Sequence, residues 1–225
     1  MSKILVVGDV HGRKFWRKAL ELIETVDRVI FLGDYLDPYP EEGITFEDAL
    51  IEFNNILEFK NKYPHKVILL LGNHCLHYVI KEFMNCSRLN VNMRDTVHKL
   101  FNDNIDKFQL IYELDNYIFS HAGIYEDWMD DLVLDDLKNY KTFLKDNWKK
   151  LENLSYLRGG YNNVGSCVWA DIRESLTKDL YSDKIQIVGH TQLESQPYLT
   201  STIKCLDVRK CFILDTKTDE VKSCV

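Results

Sequence analysis

Five short apolar runs along this chain end abruptly in glycine or serine, and a cluster of aspartate, histidine or asparagine follows each run. Such runs, which lack alternating polar residues, predict strands that are buried on both faces. Because the ends of parallel strands meet at one edge of a sheet, we expect the five polar clusters to converge on one site. The five segments are ILVVGDVHG (4–12), VIFLGDYLD (29–37), VILLLGNHC (67–75), YIFSHAG (117–123) and IQIVGHT (185–191).

The segments between these runs predict a mixed fold of the α/β (α+β) class. In the first third of the chain, strand-like runs alternate with amphipathic segments, an order typical of a partly parallel sheet that helices cover. Two strand-like runs at 109–113 and 117–120 predict a hairpin that turns at Asp115 and Asn116. Helices are predicted at 14–26, 46–62, 93–107 and 134–151, and three more strands, expected to be antiparallel, at 202–208, 211–215 and 221–225.

Composition and charge bound the domain organisation and the partners. A chain of 225 residues, 45% of them hydrophobic, is long enough for one sizeable core and short for two domains. We expect a single domain over 1–225, in which 125–170 forms a helical and loop cap, because 152–168 is rich in glycine, asparagine and serine. The net charge of −7 argues against a stable nucleic-acid partner, which would require a broad basic surface.

Cysteine spacing and the first residues give an expectation for the compartment. The six cysteines form no CxxC pair and are predicted to be reduced thiols. The apolar stretch that begins at Ile4 is too short for a signal peptide or a membrane span. We therefore expect a cytoplasmic protein without a membrane partner.

The side chains in the five clusters are typical metal ligands. Carboxylate, imidazole and amide groups suit Mn²⁺, Fe or Zn²⁺. Asp9 and His11, two residues apart, are expected to point to the same side of an extended segment and to chelate one ion. Asp34 would then bridge to a second ion. The other ligands of that ion would be Asn73, His121 and His190, which follow the third, fourth and fifth apolar runs. Two such ions polarise phosphoryl oxygens and lower the pKa of a bound water from about 15.7 towards 7.

Each of these residues also has a purely structural explanation. An Asp-x-His sequence after a strand is more often an N-cap or a solvated turn, and a lone histidine is more often a satisfied core residue. Four of the seven histidines nevertheless fall inside the five motifs, namely His11, His74, His121 and His190. Their joint placement favours the metal-site interpretation.

The series GDVHG, GDYLD, GNHC, SHAG and GHT resembles the calcineurin-like metallophosphoesterases. Within them it is most similar to the phosphoprotein-phosphatase branch, which includes small phage and bacterial Ser/Thr phosphatases and symmetrical dinucleoside-tetraphosphatases. The resemblance spans residues 4–191 and implies a four-layer fold, a β-sandwich flanked by helices. It also implies two divalent ions, with Mn²⁺ as the first choice and Fe or Zn²⁺ as alternatives, and direct attack by a hydroxide held between them, with no covalent phosphoenzyme.

The resemblance further implies a role for each motif residue. It places Asp9, His11 and Asp34 at the first ion, and Asp34, Asn73, His121 and His190 at the second. His74 would protonate the leaving oxygen, and Asp37 would orient His74. We assign no role to Cys75 or His77, which follow in the same segment.

Two departures from the pattern of that branch affect phosphate recognition. Asp37 is followed by Pro38 and Tyr39 instead of Arg-Gly. Leu71 stands where an arginine often precedes GNH, and Cys75 replaces the usual glutamate. We expect another arginine to bind the phosphate instead, because a guanidinium can make two parallel hydrogen bonds to phosphate oxygens. The candidates are Arg13, Arg94, Arg158 and Arg173, and of these Arg158 and Arg173 are predicted to bind phosphate together with Asn73.

A third departure concerns the substrate. Many nuclease and phosphodiesterase members end in GHxH, and Gln192 replaces the second histidine here, which favours the phosphatase branch. We therefore predict a phosphomonoester hydrolase, a protein phosphatase acting on phosphorylated Ser, Thr or Tyr. A nucleotide or dinucleoside-tetraphosphate hydrolase is the alternative. An inactive binding or scaffold protein is less favoured, because the ligand set is intact.

Overall fold

The computed structural model describes residues 2–224, and in that range eleven strands form two mixed sheets. In chain order the strands are β1 (Lys3–Val7), β2 (Arg28–Phe31), β3 (Val67–Leu70), β4 (Phe108–Gln109), β5 (Ile111–Leu114), β6 (Tyr117–Ser120), β7 (Ile185–Val188), β8 (Tyr198–Leu199), β9 (Ile203–Cys205), β10 (Cys211–Asp215) and β11 (Glu220–Ser223). The six-stranded sheet has the order β11-β10-β1-β2-β3-β4, and the five-stranded sheet has the order β5-β6-β7-β9-β8.

Seven α-helices lie between these strands in the described range. They are α1 (Lys18–Leu22), α2 (Phe46–Lys62), α3 (Asn73–Val79), α4 (Arg94–Asp103), α5 (Glu126–Met129), α6 (Leu134–Lys138) and α7 (Tyr140–Asp146). Short 3₁₀ turns adjoin several of them, including Phe15–Arg17 before α1 and Ile105–Lys107 after α4.

Parallel pairing occupies the centre of both sheets. Strands β1 to β4 run parallel in the first sheet, and β6, β7 and β9 run parallel in the second. Antiparallel strands complete the sheets, with β10 and β11 beside β1, and with β5 and β8 at the two edges of the second sheet. The predicted α/β (α+β) class is therefore confirmed, and so is the hairpin, which β5 and β6 form.

Alternate side chains of β1 point into different layers. Leu5 and Val7 belong to the buried cluster that joins the first sheet to α1 and α2. Ile4 and Val6 belong to a second cluster, which also contains Phe119 of the other sheet. Both faces of β1 are thus covered, one by helices and one by a sheet, which explains why its sequence is apolar without alternation.

Helix α2 has the bounds that the sequence predicts. Thr45 caps its first turn, because the Thr45 hydroxyl accepts from the Asp48 N–H at 3.0 Å and the Asp48 carboxylate accepts from the Thr45 N–H at 3.3 Å. Phe53 and Ile56 on its inner face are fully buried against the first sheet. Capping and amphipathic spacing therefore agree on where this helix begins and which face it buries.

Three of the predicted helices are wrong in extent, and of the one predicted at 93–107 only Arg94–Asp103 is α-helical. At 14–26 the structure has the Phe15–Arg17 turn followed by the five residues of α1. Over 134–151 the helix is broken, because α6 ends at Lys138, just before Asn139, and α7 ends at Asp146, just before Asn147. Asparagine is a poor helix former, and these two residues interrupt an otherwise amphipathic segment.

One of the late strands also differs from its prediction. β9 pairs in parallel with β7, whereas it was expected to be antiparallel, and its antiparallel neighbour is the edge strand β8. The chain reverses direction at β8, so β9 enters the sheet in the same direction as β7. The strand predicted at 221–225 begins at Glu220, and Val225 lies outside the described residues.

Residues 125–170 contain α5, α6 and α7 with connecting loops, as the sequence predicts for this segment. Its assignment as the cap of a single domain stays a prediction. Among residues 2–224, no helix is long and apolar enough to cross a bilayer. All six cysteines are free thiols.

A buried carboxylate fixes α2 to the turn before α1. Glu52 is 2% exposed, and its carboxylate accepts from Trp16 Nε1 at 3.0 Å. The Arg17 guanidinium donates to the same carboxylate at 3.0 and 2.7 Å. Removing Glu52 would leave the buried indole N–H without its acceptor, which is costly in a protein interior.

We therefore expect Glu52→Ala to lower the free energy of unfolding by about 1–3 kcal/mol. Glu58→Ala, an exposed position on the same helix, is the matched control and should change it by less than about 0.5 kcal/mol. Urea unfolding of both variants measures the difference. Equal effects of the two substitutions would contradict a structural role for the Glu52 carboxylate.

Candidate active site

Five strand ends, three from one sheet and two from the other, meet at one edge of the sandwich. Asp9 follows β1 and Asp34 follows β2 in the first sheet, whereas His121 follows β6 and His190 follows β7 in the second. Each of these four side chains presents a ligand atom within 4.8 Å of the others. The His190 N–H donates to Asp9 Oδ1 at 3.1 Å, so the two ends of the motif series are in direct contact.

Four candidate residues have left-handed backbone conformations. The φ angles are 44° at His11, 49° at Asp34, 60° at Asp37 and 62° at His190. This conformation costs a residue with a Cβ about 1–2 kcal/mol, and strain of this kind clusters at functional sites. The His11 N–H donates to the Asp34 carbonyl at 2.7 Å and so stabilises the first turn. The expectation that Asp9 and His11 lie on an extended segment is wrong, because the chain turns at His11.

Two glycines are required by the close approach of the carboxylates. A Cβ on Gly72 would lie 2.2 Å from Asp34 Oδ1 and 2.6 Å from His121 Cε1. A Cβ on Gly189 would lie 2.5 Å from Asp9 Oδ1. No side-chain atom fits at these distances, so the site itself demands glycine at both strand ends.

Backbone carbonyls orient two of the histidines. His11 Nδ1 lies 2.7 Å from the Leu36 carbonyl oxygen, and His121 Nδ1 lies 2.8 Å from the Leu32 carbonyl oxygen. Because a carbonyl only accepts, each neutral ring keeps its proton on Nδ1 and has a lone pair on Nε2. These Nε2 atoms lie 3.8 Å and 3.3 Å from Asp34 Oδ2. Metal-bound histidines typically have this arrangement, in which one ring N–H donates to a carbonyl and the other ring nitrogen is free to bind the ion.

The remaining donors also fit a divalent ion. Asn73 Oδ1 and His190 Nδ1 lie 3.0 Å and 3.1 Å from His121 Nε2. Two buried polar atoms nearby, His190 Nε2 and Asp207 Oδ1, have no hydrogen-bond partner in the part of the chain that the structure describes. Buried polar groups are normally paired, so these two atoms remain open to a further binding group. Converging carboxylate, imidazole and amide donors suit Mn²⁺, Fe or Zn²⁺.

Burial and mutual contact set the charges of the cluster in the metal-free protein. Burial raises the pKa of Asp9 to about 6, although His121 opposes the shift. Burial disfavours a charged His121, but the carboxylates of Asp34 and Asp9 overcome it and raise the pKa of His121 to about 9. Burial lowers the pKa of His11 to about 3 and that of His190 well below its usual range. One protonated imidazole, His121, therefore faces two carboxylates at neutral pH.

Beside the ligand cluster, a buried carboxylate holds His74. The Nδ1 atom of His74 lies 2.8 Å from Asp37 Oδ2, and its backbone N–H donates to Asp34 Oδ1 at 2.9 Å. The Tyr78 hydroxyl donates to Asp37 Oδ1 at 2.6 Å, and His77 Nε2 lies 2.8 Å from Asp37 Oδ2. Burial alone would raise the pKa of Asp37, but His74 and His77 lower it, so Asp37 is ionised at neutral pH.

His77 and Tyr78 are site neighbours that the sequence analysis missed. His77 is fully buried, and its Nδ1 accepts from the Cys86 N–H at 3.2 Å, which leaves Nε2 to carry the proton towards Asp37. The spacing of three residues between His74 and His77 on one helix was the signal for a shared face. Nothing in the sequence pattern pointed to Tyr78, because its contact with Asp37 depends on the packing of α3.

Two of the four arginines considered as phosphate clamps donate to acceptors within the protein, and Arg13 touches the ligand cluster only through the Asp9 backbone carbonyl, 3.2 Å from its Nη1. Arg13 Nε donates to Glu42 Oε2 at 2.8 Å. Arg94 donates to the backbone carbonyls of His77 and Lys81, at 3.2 and 2.7 Å from its Nη2. Both side chains therefore have a structural task that explains their presence.

The other two arginines pair with one buried carboxylate. Arg158 Nε lies 3.0 Å from Asp171 Oδ2, and Arg173 Nε donates to Asp171 Oδ1 at 2.7 Å. Arg158 Nη2 also donates to Thr191 Oγ1 at 2.7 Å, next to His190 in the chain. The Arg173 side chain is 59% exposed, so Arg158 is the more firmly held of the two. Their predicted role in phosphate binding stays a prediction.

A family model tests the motif series independently. The model described as calcineurin-like phosphoesterase matches residues 2–198, which is most of the chain. The chain belongs to the calcineurin-like phosphoesterases. The resemblance that the five motifs carry is therefore confirmed, and this calcineurin-like phosphoesterase is a hydrolase of a family that uses divalent metal ions.

Two relatives of this calcineurin-like phosphoesterase match part of its sequence. A symmetrical bis(5′-nucleosyl)-tetraphosphatase of Nitrosospira multiformis is 28% identical over 138 residues, which are 56% of this chain and 45% of the relative. A serine/threonine-protein phosphatase of Candida albicans is 35% identical over 82 residues, 32% of this chain and 23% of the relative. The matched region thus spans less than half of either relative.

Solved structures share its fold over almost the whole chain. A cold-active protein-tyrosine phosphatase of a psychrophilic Shewanella species is 16% identical, with a TM-score of 0.61, and the match covers 99% of this chain and 80% of that one. A protein serine/threonine phosphatase of Saccharomyces cerevisiae is 14% identical, with a TM-score of 0.62, and the match covers 98% and 79%. At these identities the likeness concerns the fold, and it confirms the metallophosphatase-type architecture.

The charge state of His121 gives a pH-dependent prediction for metal binding. Since its pKa is about 9 in the metal-free protein, we expect Mn²⁺ binding at neutral pH to release about one proton. The apparent affinity should rise with pH up to about 9, because the proton competes with the metal for Nε2.

Titration calorimetry in two buffers with different ionisation enthalpies measures both the proton release and the number of ions bound. His121→Asn should weaken binding and abolish the release, whereas His65→Asn, an exposed histidine after α2, should change neither. Metal binding without proton release at neutral pH would contradict the assigned charge of His121.

Proposed function

We propose that this calcineurin-like phosphoesterase is a metal-dependent phosphatase that hydrolyses phosphomonoesters, and that phosphorylated Ser, Thr or Tyr side chains of proteins are its substrates. The observation that carries the proposal is the position of His74, which Asp37 orients beside the Asp34 carboxylate of the ligand cluster. Cleavage of a P–O bond needs an activated water and a proton for the leaving oxygen. Ions held by the ligand cluster would activate the water, and the neighbouring His74 would supply the proton.

Two divalent ions belong to this proposal, with Mn²⁺ as the first choice and Fe or Zn²⁺ as alternatives. Asp9, His11 and Asp34 would hold one ion, and Asp34, Asn73, His121 and His190 the other. When bound, such ions polarise the phosphoryl oxygens and lower the pKa of a water, so that hydrolysis needs no covalent phosphoenzyme.

His74 is the proposed general acid. When its Nδ1–H donates to Asp37, the Nε2 atom is left to hold the proton that the leaving oxygen takes. Asp37 acts through His74 and is therefore a positioning residue, because its carboxylate fixes the orientation of the ring. The Tyr78 hydroxyl in turn fixes the second oxygen of Asp37.

Asn73, Arg158 and Arg173 are the proposed phosphate contacts. Arg158 is well suited, because Asp171 and Thr191 hold its guanidinium next to His190. A guanidinium at this position would bind phosphoryl oxygens on the His190 side of the cluster.

The monoester preference rests on Gln192, which stands in place of a further histidine ligand, and on the net charge of −7, which disfavours long nucleic acids. The similarity to a serine/threonine-protein phosphatase supports a protein substrate. The similarity to a symmetrical tetraphosphatase favours dinucleoside tetraphosphates as the alternative. A cytoplasmic location and a single domain over 1–225, with 125–170 as its cap, complete the proposal.

The general-acid role predicts a dependence on the leaving group. We expect His74→Asn to slow hydrolysis of an alkyl phosphate by about 10²–10⁴ and to slow that of an aryl phosphate with an acidic phenol far less. The acidic phenol leaves without a proton, so it does not need the imidazole. Steady-state kcat with both esters, compared with His65→Asn, measures the effect.

Equal losses on the two esters, or loss of bound Mn²⁺ in His74→Asn, would show that His74 has another task. The metal content of the variant must therefore be measured alongside its rates.

A substrate panel tests the proposed function itself. With Mn²⁺, we expect kcat/KM for a phosphopeptide or a simple aryl monoester to exceed that for the matching bis-ester and for a dinucleoside tetraphosphate. A preference for the tetraphosphate would establish the alternative function. A preference for the bis-ester or for a polynucleotide would refute the phosphatase proposal.

A further inference from the structure

An arginine outside the motif series lies at the rim of the proposed site. Arg88 is in the loop between α3 and α4, where its backbone has a left-handed φ of 66°. Its Nε donates to the Asp37 carbonyl at 3.0 Å, and its Nη1 donates to Ser87 Oγ at 3.1 Å. The guanidinium lies over the Tyr39 ring, 3.8 Å from the ring centroid. Two hydrogen bonds and an aromatic face therefore fix both its position and its plane.

The remaining nitrogen of this guanidinium points to the proposed proton donor. Arg88 Nη2 lies 3.4 Å from His74 Nε2. Since Asp37 occupies the other nitrogen of His74, Nε2 is the atom that meets the leaving oxygen. A phosphoryl group whose leaving oxygen lies at Nε2 has its nonbridging oxygens within reach of Arg88 as well.

The positive charge of Arg88 is not neutralised by a carboxylate, whereas the charges of the neighbouring arginines are. Arg13 and Arg209 both lie near Tyr39, but both pair with Glu42, at 2.8 and 3.4 Å. Across residues 2–224, no carboxylate comes within ion-pair distance of Arg88, whose nitrogens lie beside a carbonyl, a hydroxyl and the His74 ring. An uncompensated, oriented guanidinium next to a proton donor is suited to a phosphate dianion.

We propose that Arg88 binds a nonbridging oxygen of the phosphoryl group and that Tyr39 is the platform that holds Arg88 in place. This inference rests on the proposed phosphatase function and deepens it. Tyr39 and Pro38 occupy the positions after Asp37 where the resembling branch has Arg-Gly. The chain would thus supply from the 80–90 loop the guanidinium that it lacks after β2, and with Arg158 it would hold the phosphate from two sides.

The test uses inorganic phosphate, which needs no knowledge of the natural substrate. Titration calorimetry on the Mn²⁺-loaded protein should show that Arg88→Met binds phosphate about 10- to 100-fold more weakly than the unmodified chain. Arg88→Lys should bind phosphate with intermediate affinity, because lysine keeps the positive charge but cannot make the bidentate hydrogen bonds of a guanidinium. Arg28→Met is the control and should bind like the unmodified chain, since Arg28 begins β2 at the end opposite to Asp34.

Kinetics separate this role from that of His74. Loss of Arg88 should raise KM and slow alkyl and aryl phosphates to the same degree, whereas loss of the acid affects mainly the alkyl ester. Thermal unfolding and Mn²⁺ content must match between Arg88→Met and the unmodified chain.

Three results would overturn the inference: unchanged phosphate affinity in Arg88→Met, loss of Mn²⁺ in that variant, or no phosphate binding by the unmodified chain. Should Arg88→Met fail to fold, an unchanged phosphate affinity of Arg88→Lys would overturn it equally. Weakened phosphate binding in the variants of a protein that hydrolyses no monoester would support Arg88 and refute the proposed function.

Discussion

The carboxylate of Asp34 is the group on which the site depends, because it joins the ends of the two sheets. Its Oδ1 accepts from the His74 N–H, in the first turn of α3 after β3, and its Oδ2 lies 3.3 Å from Nε2 of His121, after β6. A buried carboxylate is tolerated only when hydrogen bonds or opposite charges surround it. The left-handed turn at Asp34 and the absence of a Cβ at Gly72 both serve to bring such partners to it.

Stability and function make opposite demands on this end of the sandwich. The apolar layers around β1 stabilise the fold through burial, whereas the site collects carboxylates and imidazoles that burial penalises. The raised pKa of Asp9 is a direct sign of that penalty. A divalent ion that binds only the folded chain would offset it, and metal binding and folding would then be thermodynamically linked.

The sequence predicted those features that depend on local pattern and missed those that depend on packing between elements. Unbroken apolar runs and a capped amphipathic segment were enough to predict α2 and β10 with their observed bounds and to place β1 at its apolar run. The turn at His11 was missed because the argument from two-residue spacing assumes an extended chain. The break at Asn139 was missed because the helical spacing of apolar residues continues past this one asparagine. Most ligand candidates could be found because they directly follow strands. Tyr78 and Arg88 could not, since they reach the site from a helix and a loop whose positions only the fold determines.

The ligand cluster draws on strand ends that are spread over most of the chain, and Asp9 contacts His190 at a sequence separation of 181. Contacts of this kind give the fold a high contact order. The chain must therefore lose the conformational entropy of closing long loops before contacts at the site can stabilise it. The parallel strands that carry the ligands are themselves non-local pairings. The full ligand geometry is therefore a property of the whole tertiary fold, because it exists only where the strand ends of both sheets have come together.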